Sequence, residues 1–322
     1  MTTEICTTNQ PALAHKDLLS IDQLSAEDLH TLFGTTTKVK ANVGAYSQAL
    51  GGKSIVMLFE KPSLRTRVSF EIGLTKIGAH VMYFDHAAQR IGERESVKDY
   101  AKNLERYADC LIARTFSHDV LGELAEHATI PVINALSDHE HPCQALADMF
   151  TLSEHLGSLS GARLAWIGDG NNVCHSLLLA AAKLGVHFTA ITPKGFEPQF
   201  SVLQKAINAA EQTGATIHVT NDLKAVKGHH AVYTDTWISM GQAHQAGLRA
   251  DCFVGFQVDE EVMAAASHGI EGQALFMHCL PAHRGEEVVD EVIDSPASVV
   301  YDQAENRMHV QNALLMHLMG AA

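Results

Sequence analysis

Residues 54–77, SIVMLFEKPSLRTRVSFEIGLTKI, change their period halfway along. Of the first six residues all but Ser54 are apolar, an unbroken run of strand length. Beyond Pro62, the apolar Phe70, Leu74 and Ile77 recur at steps of four and three, the spacing of a helix that buries one face. A buried strand that passes through a proline turn into an amphipathic helix is the first half of a βαβ unit, the building block of parallel sheets. At the joint stand Ser63, Leu64, Arg65, Thr66 and Arg67. A helix amino terminus there offers unpaired N–H groups and partial positive charge, and serine, threonine and guanidinium donors around it suit phosphate oxygens.

The same alternation continues outward. HVMYF (80–84), CLIA (110–113) and PVINAL (131–136) precede RLAWIG, FTAIT, TIHV, HAVYT and ALFMH, with helical-period segments such as Val97, Ala101, Leu104 and Ala108 between them. The fold class expected is α/β, with two doubly wound parallel-sheet domains joined by helices. The junction is placed after the helical segment Pro142 to Leu156, where the loop GSLSGA precedes a fresh strand. That gives a first domain over 1–155 and a second over 156–302. Residues 303–322, with Ala304, Met308, Leu315 and Leu318 on one side, read as a terminal helix.

Composition narrows the function classes. The chain has 322 residues, more than one hydrophobic core usually serves, so two domains are the natural division. A formal net charge of −14 opposes nucleic acid or an anionic membrane as the main partner, and there is no apolar run long enough to span a bilayer. Six scattered cysteines without a C-x-x-C pair, and no secretory or mitochondrial leader pattern, favour a reducing cytoplasm. No metal or cofactor is expected.

Open parallel sheets bind ligands beyond the carboxyl ends of their strands, and the polar clusters fall there. Arg114 ends the CLIAR run. In LSDHEHPCQALADMF (136–150), Pro142 suits a first helical position, which puts His141 at the cap and Gln144 on the first turn. Imidazole there can donate to a carbonyl oxygen that gains charge, and an amide can hold an amino group. Helix capping is the plain alternative for His141, and a metal site from His139, Glu140 and His141 is disfavoured because consecutive residues rarely converge on one ion. WIGDGNNVCHS (166–176) is an imperfect dinucleotide-binding turn. DTWISMG (235–241) joins a carboxylate at a strand end to a short loop. In FMHCLPAHRGEEV (276–288), Cys279 follows a buried strand; a lone cysteine is usually packing, but Asp235 ends a strand of the same sheet, and the pair can orient an amine.

S-x-R-T-R, H-P-x-Q and H-C-L-P in this order, across some 220 residues, resemble the transcarbamylase family, and D-x-W-x-S-M-G resembles its ornithine-using branch. The resemblance implies transfer of a carbamoyl group from carbamoyl phosphate to the δ-amine of L-ornithine, giving citrulline and phosphate, within arginine metabolism. It also implies a terminal helix that packs back on the first domain, and a homotrimer with shared active sites. By the same resemblance, Ser63, Leu64, Arg65, Thr66, Arg67, Arg114 and Arg307 bind carbamoyl phosphate, His141 and Gln144 hold its carbamoyl group, and Cys279 and Leu280 lie beside the reacting amine. Asn172, Asp235, Ser239 and Met240 match ornithine-binding positions. Arg90 stands where many bacterial relatives carry glutamine and is left out of the core site. The catalytic set is Arg65, Arg114, His141, Asp235 and Cys279. A transcarbamylase for putrescine or an N-acylated ornithine, and a non-catalytic relative, are the alternatives; intact motifs speak against both.

Overall fold

The computed structural model describes residues 13–238, 249 and 251–322, so Ser239 and Met240 lie outside the described residues. Two parallel sheets form the frame. In the first, β2 (His80–Asp85), β1 (Ser54–Phe59), β3 (Cys110–Arg114) and β4 (Val132–Leu136) lie side by side in that order. In the second the order is β7 (Ile217–Thr220), β6 (His187–Ile191), β5 (Arg163–Ile167), β8 (Ala231–Thr234) and β9 (Leu275–His278). The α/β class and the two doubly wound sheets expected from the alternation are what the chain forms.

The period-two alternation of each strand sorts side chains to opposite faces. From β1, Ile55, Met57 and Phe59 pack with Phe70 and Leu74 of α2 (Leu64–Lys76) and with Leu29 and Leu32 of α1 (Ala26–Ala41). Val56 and Leu58 point to the other face, where they meet Val97 and Ala101 of α3 (Val97–Leu104) and Leu121 and Leu124 of α4 (His118–His127). The second sheet repeats the arrangement. Trp166 and Tyr233 join α5 (Pro142–Leu156), α6 (Asn172–Lys183) and α7 (Phe200–Thr213), while Ile167 and Phe276 join α8 (Glu260–Ala266) and α9 (Asp290–Ile293). One apolar cluster runs through α5 and across both sheets, so the segment between the sheets is a buried helix rather than a loose linker.

The terminal helix α10 (Val300–Leu318) packs against α1, α2 and α5, as the fold expectation required. Its close approach to α2 needs Gly73: a Cβ there would lie 2.6 Å from Asn312 Oδ1 and 2.9 Å from Met308 Cγ. The apolar side read from the sequence is incomplete, however. Ala304, Met308 and Leu318 are only partly buried, whereas Gln303, Asn306, Arg307, Gln311 and Asn312 are buried. Periodicity follows apolar residues, and here much of the buried face is polar: Gln303 bonds Asp148 and Asn306 bonds Thr151, both of α5. A second departure is β2, whose Met82 and Phe84 are exposed on an edge strand. No described helix is long and apolar enough to cross a membrane.

In each sheet the strand order reverses direction once, between β1 and β3 and between β5 and β8. At such switch points successive loops leave in opposite directions and open a crevice at the carboxyl ends. Both crevices open toward one cleft.

Candidate active site

The cleft encloses about 360 Å³ and is lined by residues from both sheets. Its first wall is the joint between β1 and α2. Ser63 takes an extended conformation (φ −157°) as the cap of α2, and its Oγ accepts the Thr66 N–H at 3.3 Å. Thr66 is fully buried, and its Oγ1 accepts from Arg307 Nη2 at 2.7 Å and from Arg114 Nη1 at 3.5 Å. One hydroxyl thus draws together a guanidinium from the end of β3 and another from α10. With the half-buried Arg65 beside them, three guanidinium groups share the site, and two of them, Arg114 and Arg307, are shut off from water. Burial, reinforced by Arg307 and Arg65, pushes Arg114 down to about 9, and burial also lowers Arg307 and Arg65. A phosphate dianion placed at the helix terminus would relieve that repulsion and satisfy the donors.

The second wall is the start of α5. Pro142 occupies the first helical position and His141 the cap, as expected, yet the His141 ring makes no capping bond. Its backbone N–H donates instead to Ser176 Oγ at 2.9 Å, and ring Nδ1 is buried without a partner. Capping therefore does not account for this histidine. Burial, followed by Arg307 and Arg114, holds its pKa well below the ordinary value, so the imidazole is neutral at physiological pH and has one N–H to give. Gln144 donates Nε2 to Asp148 Oδ1 at 2.8 Å, while its Oε1 is buried and unpartnered. Glu140 turns away to Ser20, Ile21 and Ser176, so His139, Glu140 and His141 do not converge on a common point.

The third wall comes from the second sheet. Asp235, just beyond β8, accepts the Cys279 thiol on Oδ1 at 3.0 Å and Asn171 Nδ2 on Oδ2 at 2.7 Å. Burial and the neighbouring Asp235 carboxylate raise the Cys279 pKa well above its usual value, so the group is a thiol that donates rather than a thiolate that attacks. Asp235, His278 and Cys279 bring potential metal ligands within 4.8 Å of one another. Both His278 nitrogens are engaged, Nδ1 by the Leu280 N–H at 2.8 Å and Nε2 by Glu287 at 3.2 Å, which leaves the thiol and the carboxylate.

Ser63, Leu64, Arg65, Thr66, Arg114, His141, Gln144, Asn172, Asp235, Cys279, Leu280 and Arg307 all line the cleft. Arg67 does not: it is exposed, pairs with Glu71 at 3.0 Å and lies 4.0 Å over the Tyr83 ring. Arg90 also stands outside, stacked on Phe116 at 4.2 Å. Sequence reasoning passed over Asn171, whose Oδ1 caps α6 while its Nδ2 holds Asp235. The doubled asparagine in GDGNN was the available signal. Of that motif's glycines, Gly170 serves packing, since a Cβ on it would lie 2.3 Å from the Pro198 nitrogen, and Gly168 supplies a backbone turn at φ 137°.

Comparison with known proteins bears on this geometry. Residues 16–154 match the model of the aspartate/ornithine carbamoyltransferase carbamoyl-P binding domain, and residues 160–318 match that of the Asp/Orn binding domain. The ornithine carbamoyltransferase of Shewanella oneidensis is 50% identical over 303 residues, covering 94% of this chain and 99% of the relative. The anabolic enzyme of Pyrococcus furiosus is 44% identical over 312 residues, 96% of this chain and 98% of its own length. A solved ornithine carbamoyltransferase from Pyrococcus furiosus superposes with a TM-score of 0.90 at 43% identity, over 96% of this chain and 99% of that one. The anabolic one from Campylobacter jejuni does so with a TM-score of 0.89 at 33% identity, over 96% and 100%.

Proposed function

Since the chain belongs to the aspartate/ornithine carbamoyltransferase family, we propose that its inter-sheet cleft is the place where carbamoyl phosphate meets its amine acceptor. The protein is a transferase that moves the carbamoyl group of carbamoyl phosphate to the δ-amine of L-ornithine, giving L-citrulline and phosphate. The observation that carries the assignment of residues is that one cleft is lined by the mutually interacting Arg65, Arg114 and Arg307 and by the hydrogen-bonded pair Asp235 and Cys279.

In this reading the phosphate sits on the amino terminus of α2, held by Ser63, Arg65, Thr66, Arg114 and Arg307. The carbamoyl oxygen faces Arg65 and the neutral His141 ring, and the carbamoyl amino group faces Gln144. Attack by nitrogen turns the carbonyl oxygen into an oxyanion, and the same donors that bind it in the ground state bind it more strongly as charge accumulates. Collapse of the tetrahedral intermediate expels phosphate into a site already matched to that anion. Ornithine lies against the second sheet, with Asn172 and Asp235 toward its α-substituents and the Cys279–Asp235 pair beside the reacting nitrogen. The thiol stays protonated, so the pair positions the amine and takes no covalent part. Arg67, turned out of the cleft, is assigned to phosphate only by its motif.

The homotrimer with shared sites is also our reading. Leu64, Val68 and Ile72 of α2 are exposed at successive turns, and the neighbouring edge strand β2 exposes Met82 and Phe84. Exposed apolar residues flanking an open strand edge are a surface that a second copy of the chain would cover. A cytoplasmic setting and a biosynthetic role in arginine metabolism complete the proposal, the latter supported by relatives named anabolic.

The test is Arg65→Ala, assayed by citrulline formation. Removal of a donor to a developing oxyanion costs about 3–4 kcal/mol, so turnover should fall by a factor of hundreds. A variant that keeps more than about a third of the wild-type rate would remove Arg65 from the mechanism, where losses of that size are expected.

A further inference from the structure

Gln144 can serve the carbamoyl group only if its amide is the right way round. An amide fits its cavity equally well in either orientation, and its partners decide which it takes. With Oε1 toward the cleft it accepts from the carbamoyl NH₂; flipped, it would set one NH₂ against another. We infer that a chain of hydrogen bonds starting at the His278 backbone sets this orientation, and that Gln303 and Asp148 are thereby positioning residues for the carbamoyl group. The inference rests on the assignment of the cleft given above.

The chain can be followed bond by bond. The His278 N–H at the end of β9 is a donor without ambiguity, and it donates to Gln303 Oε1 at 3.0 Å. Gln303 must then turn its NH₂ the other way, where Nε2 reaches Asp148 Oδ1 at 2.8 Å. Asp148 Oδ1 is therefore an acceptor. The second amide on the same oxygen, Gln144, must also present its nitrogen, again at 2.8 Å. Its Oε1 is left buried, unpartnered and part of a side chain that lines the cleft. The other carboxylate oxygen, Oδ2, meets the Tyr233 hydroxyl at 2.9 Å. Asp148 is fully buried, a costly place for a carboxyl group unless every lone pair it offers is used.

The path crosses the molecule in a useful direction. It begins at the residue preceding Cys279, on the amine side, runs through α10, and ends on α5 at the carbamoyl side. The strand end that presents the amine-orienting thiol thus also dictates which face Gln144 turns to the other substrate.

Two substitutions at one position separate positioning from bulk structure. In Asp148→Asn, Oδ1 still accepts both amides, and Nδ2 donates to the Tyr233 oxygen, which can accept. Asp148→Leu keeps the branched shape, with bulkier methyl groups, and removes the acceptor. Inorganic phosphate provides the internal control, because it occupies the arginine end and needs nothing from Gln144. For Asp148→Leu we expect the KM for carbamoyl phosphate to rise at least ~10-fold while the phosphate inhibition constant stays within about twofold, and Asp148→Asn should keep both within about threefold. Gln303→Met, which cuts the chain one bond earlier, should raise the same KM by roughly threefold or more at unchanged phosphate inhibition. If Asp148→Leu does not fold, Gln303→Met set against Asp148→Asn decides by the same criteria. Wild-type carbamoyl phosphate affinity in Asp148→Leu or Gln303→Met, equal damage in Asp148→Asn and Asp148→Leu, or parallel loss of phosphate binding would overturn the inference. A wild-type protein that fails to turn over carbamoyl phosphate would instead bring down the reading beneath it.

Discussion

The two ends of the cleft solve opposite electrostatic problems. At the phosphate end, Arg65, Arg114 and Arg307 crowd together around Thr66 and the terminus of α2, and their pKa values are driven down by burial and, for Arg114, by mutual repulsion. That end is charged and built before its ligand arrives. At the amine end the one carboxylate, Asp235, is already hydrogen-bonded to Asn171 and to a thiol that burial keeps protonated. That single negative charge is spread over neutral partners, an amide and a weak-acid thiol, so this end carries far less charge than the other. A multiply charged anion can be captured by fixed cations, whereas an amine must give up its own proton before it reacts, and a strongly anionic pocket would hold that proton on. The contrast assigns binding strength to one end and selection of the reactive form to the other.

Among the effects that separate the two ends, the largest belongs to pH. A primary amine like the lysine side chain has a pKa near 10.4, so the free-base fraction, and with it kcat/KM for ornithine, should rise about tenfold per pH unit, or roughly a hundredfold from pH 6 to 8. His141, held well below its ordinary value, and Cys279, held well above, both keep their protonation state over that span, so the slope belongs to the substrate. A flat profile would mean that a group of the protein, not the amine, limits the reaction.

Asp235→Asn sharpens the comparison from the other side. Loss of a charged hydrogen-bonding partner should lower kcat/KM for ornithine by about ten- to a hundredfold, while the KM for carbamoyl phosphate stays within about twofold. Equal losses for both substrates would show that the ends are not separable.

The smallest effect is on stability, at the buried link between the ends. Burial raises the Asp148 pKa from the usual carboxylate range to about 6. A carboxyl group whose folded pKa is raised favours folding when neutral; that contribution is complete below the unfolded pKa and is lost as pH climbs through the folded one. Asp148→Asn should therefore raise the melting temperature by a few degrees at pH 8, with the gain shrinking as pH falls below 6, on the order of 1–3 kcal/mol at most. A variant less stable than wild type at pH 8 would contradict this.

Much of this was legible in the chain. The period change at Pro62 gave the strand and helix that frame the phosphate end, and Pro142 placed His141 at the head of its helix, because both depend on local backbone preferences that neighbouring residues reveal. The motifs brought the remaining lining residues to one cleft from four further strand ends and a terminal helix. What could not be read depends on contacts distant in sequence. Thr66 as the tether of Arg307 spans 241 residues, Gln303 beneath Asp148 spans 155, and neither contact leaves a local mark. The polar buried face of α10 was missed for the same reason, since periodicity registers only apolar residues. Arg67, two residues beyond Arg65 in one motif, points out of the cleft because successive helical residues face about 100° apart.

The most direct measurement is citrulline or other carbamoylated product formed from carbamoyl phosphate with ornithine, putrescine, N-acetylornithine and aspartate in turn. Strong preference for ornithine is the expected result; preference for any of the other three, or no turnover at all, would contradict the assignment of this cleft.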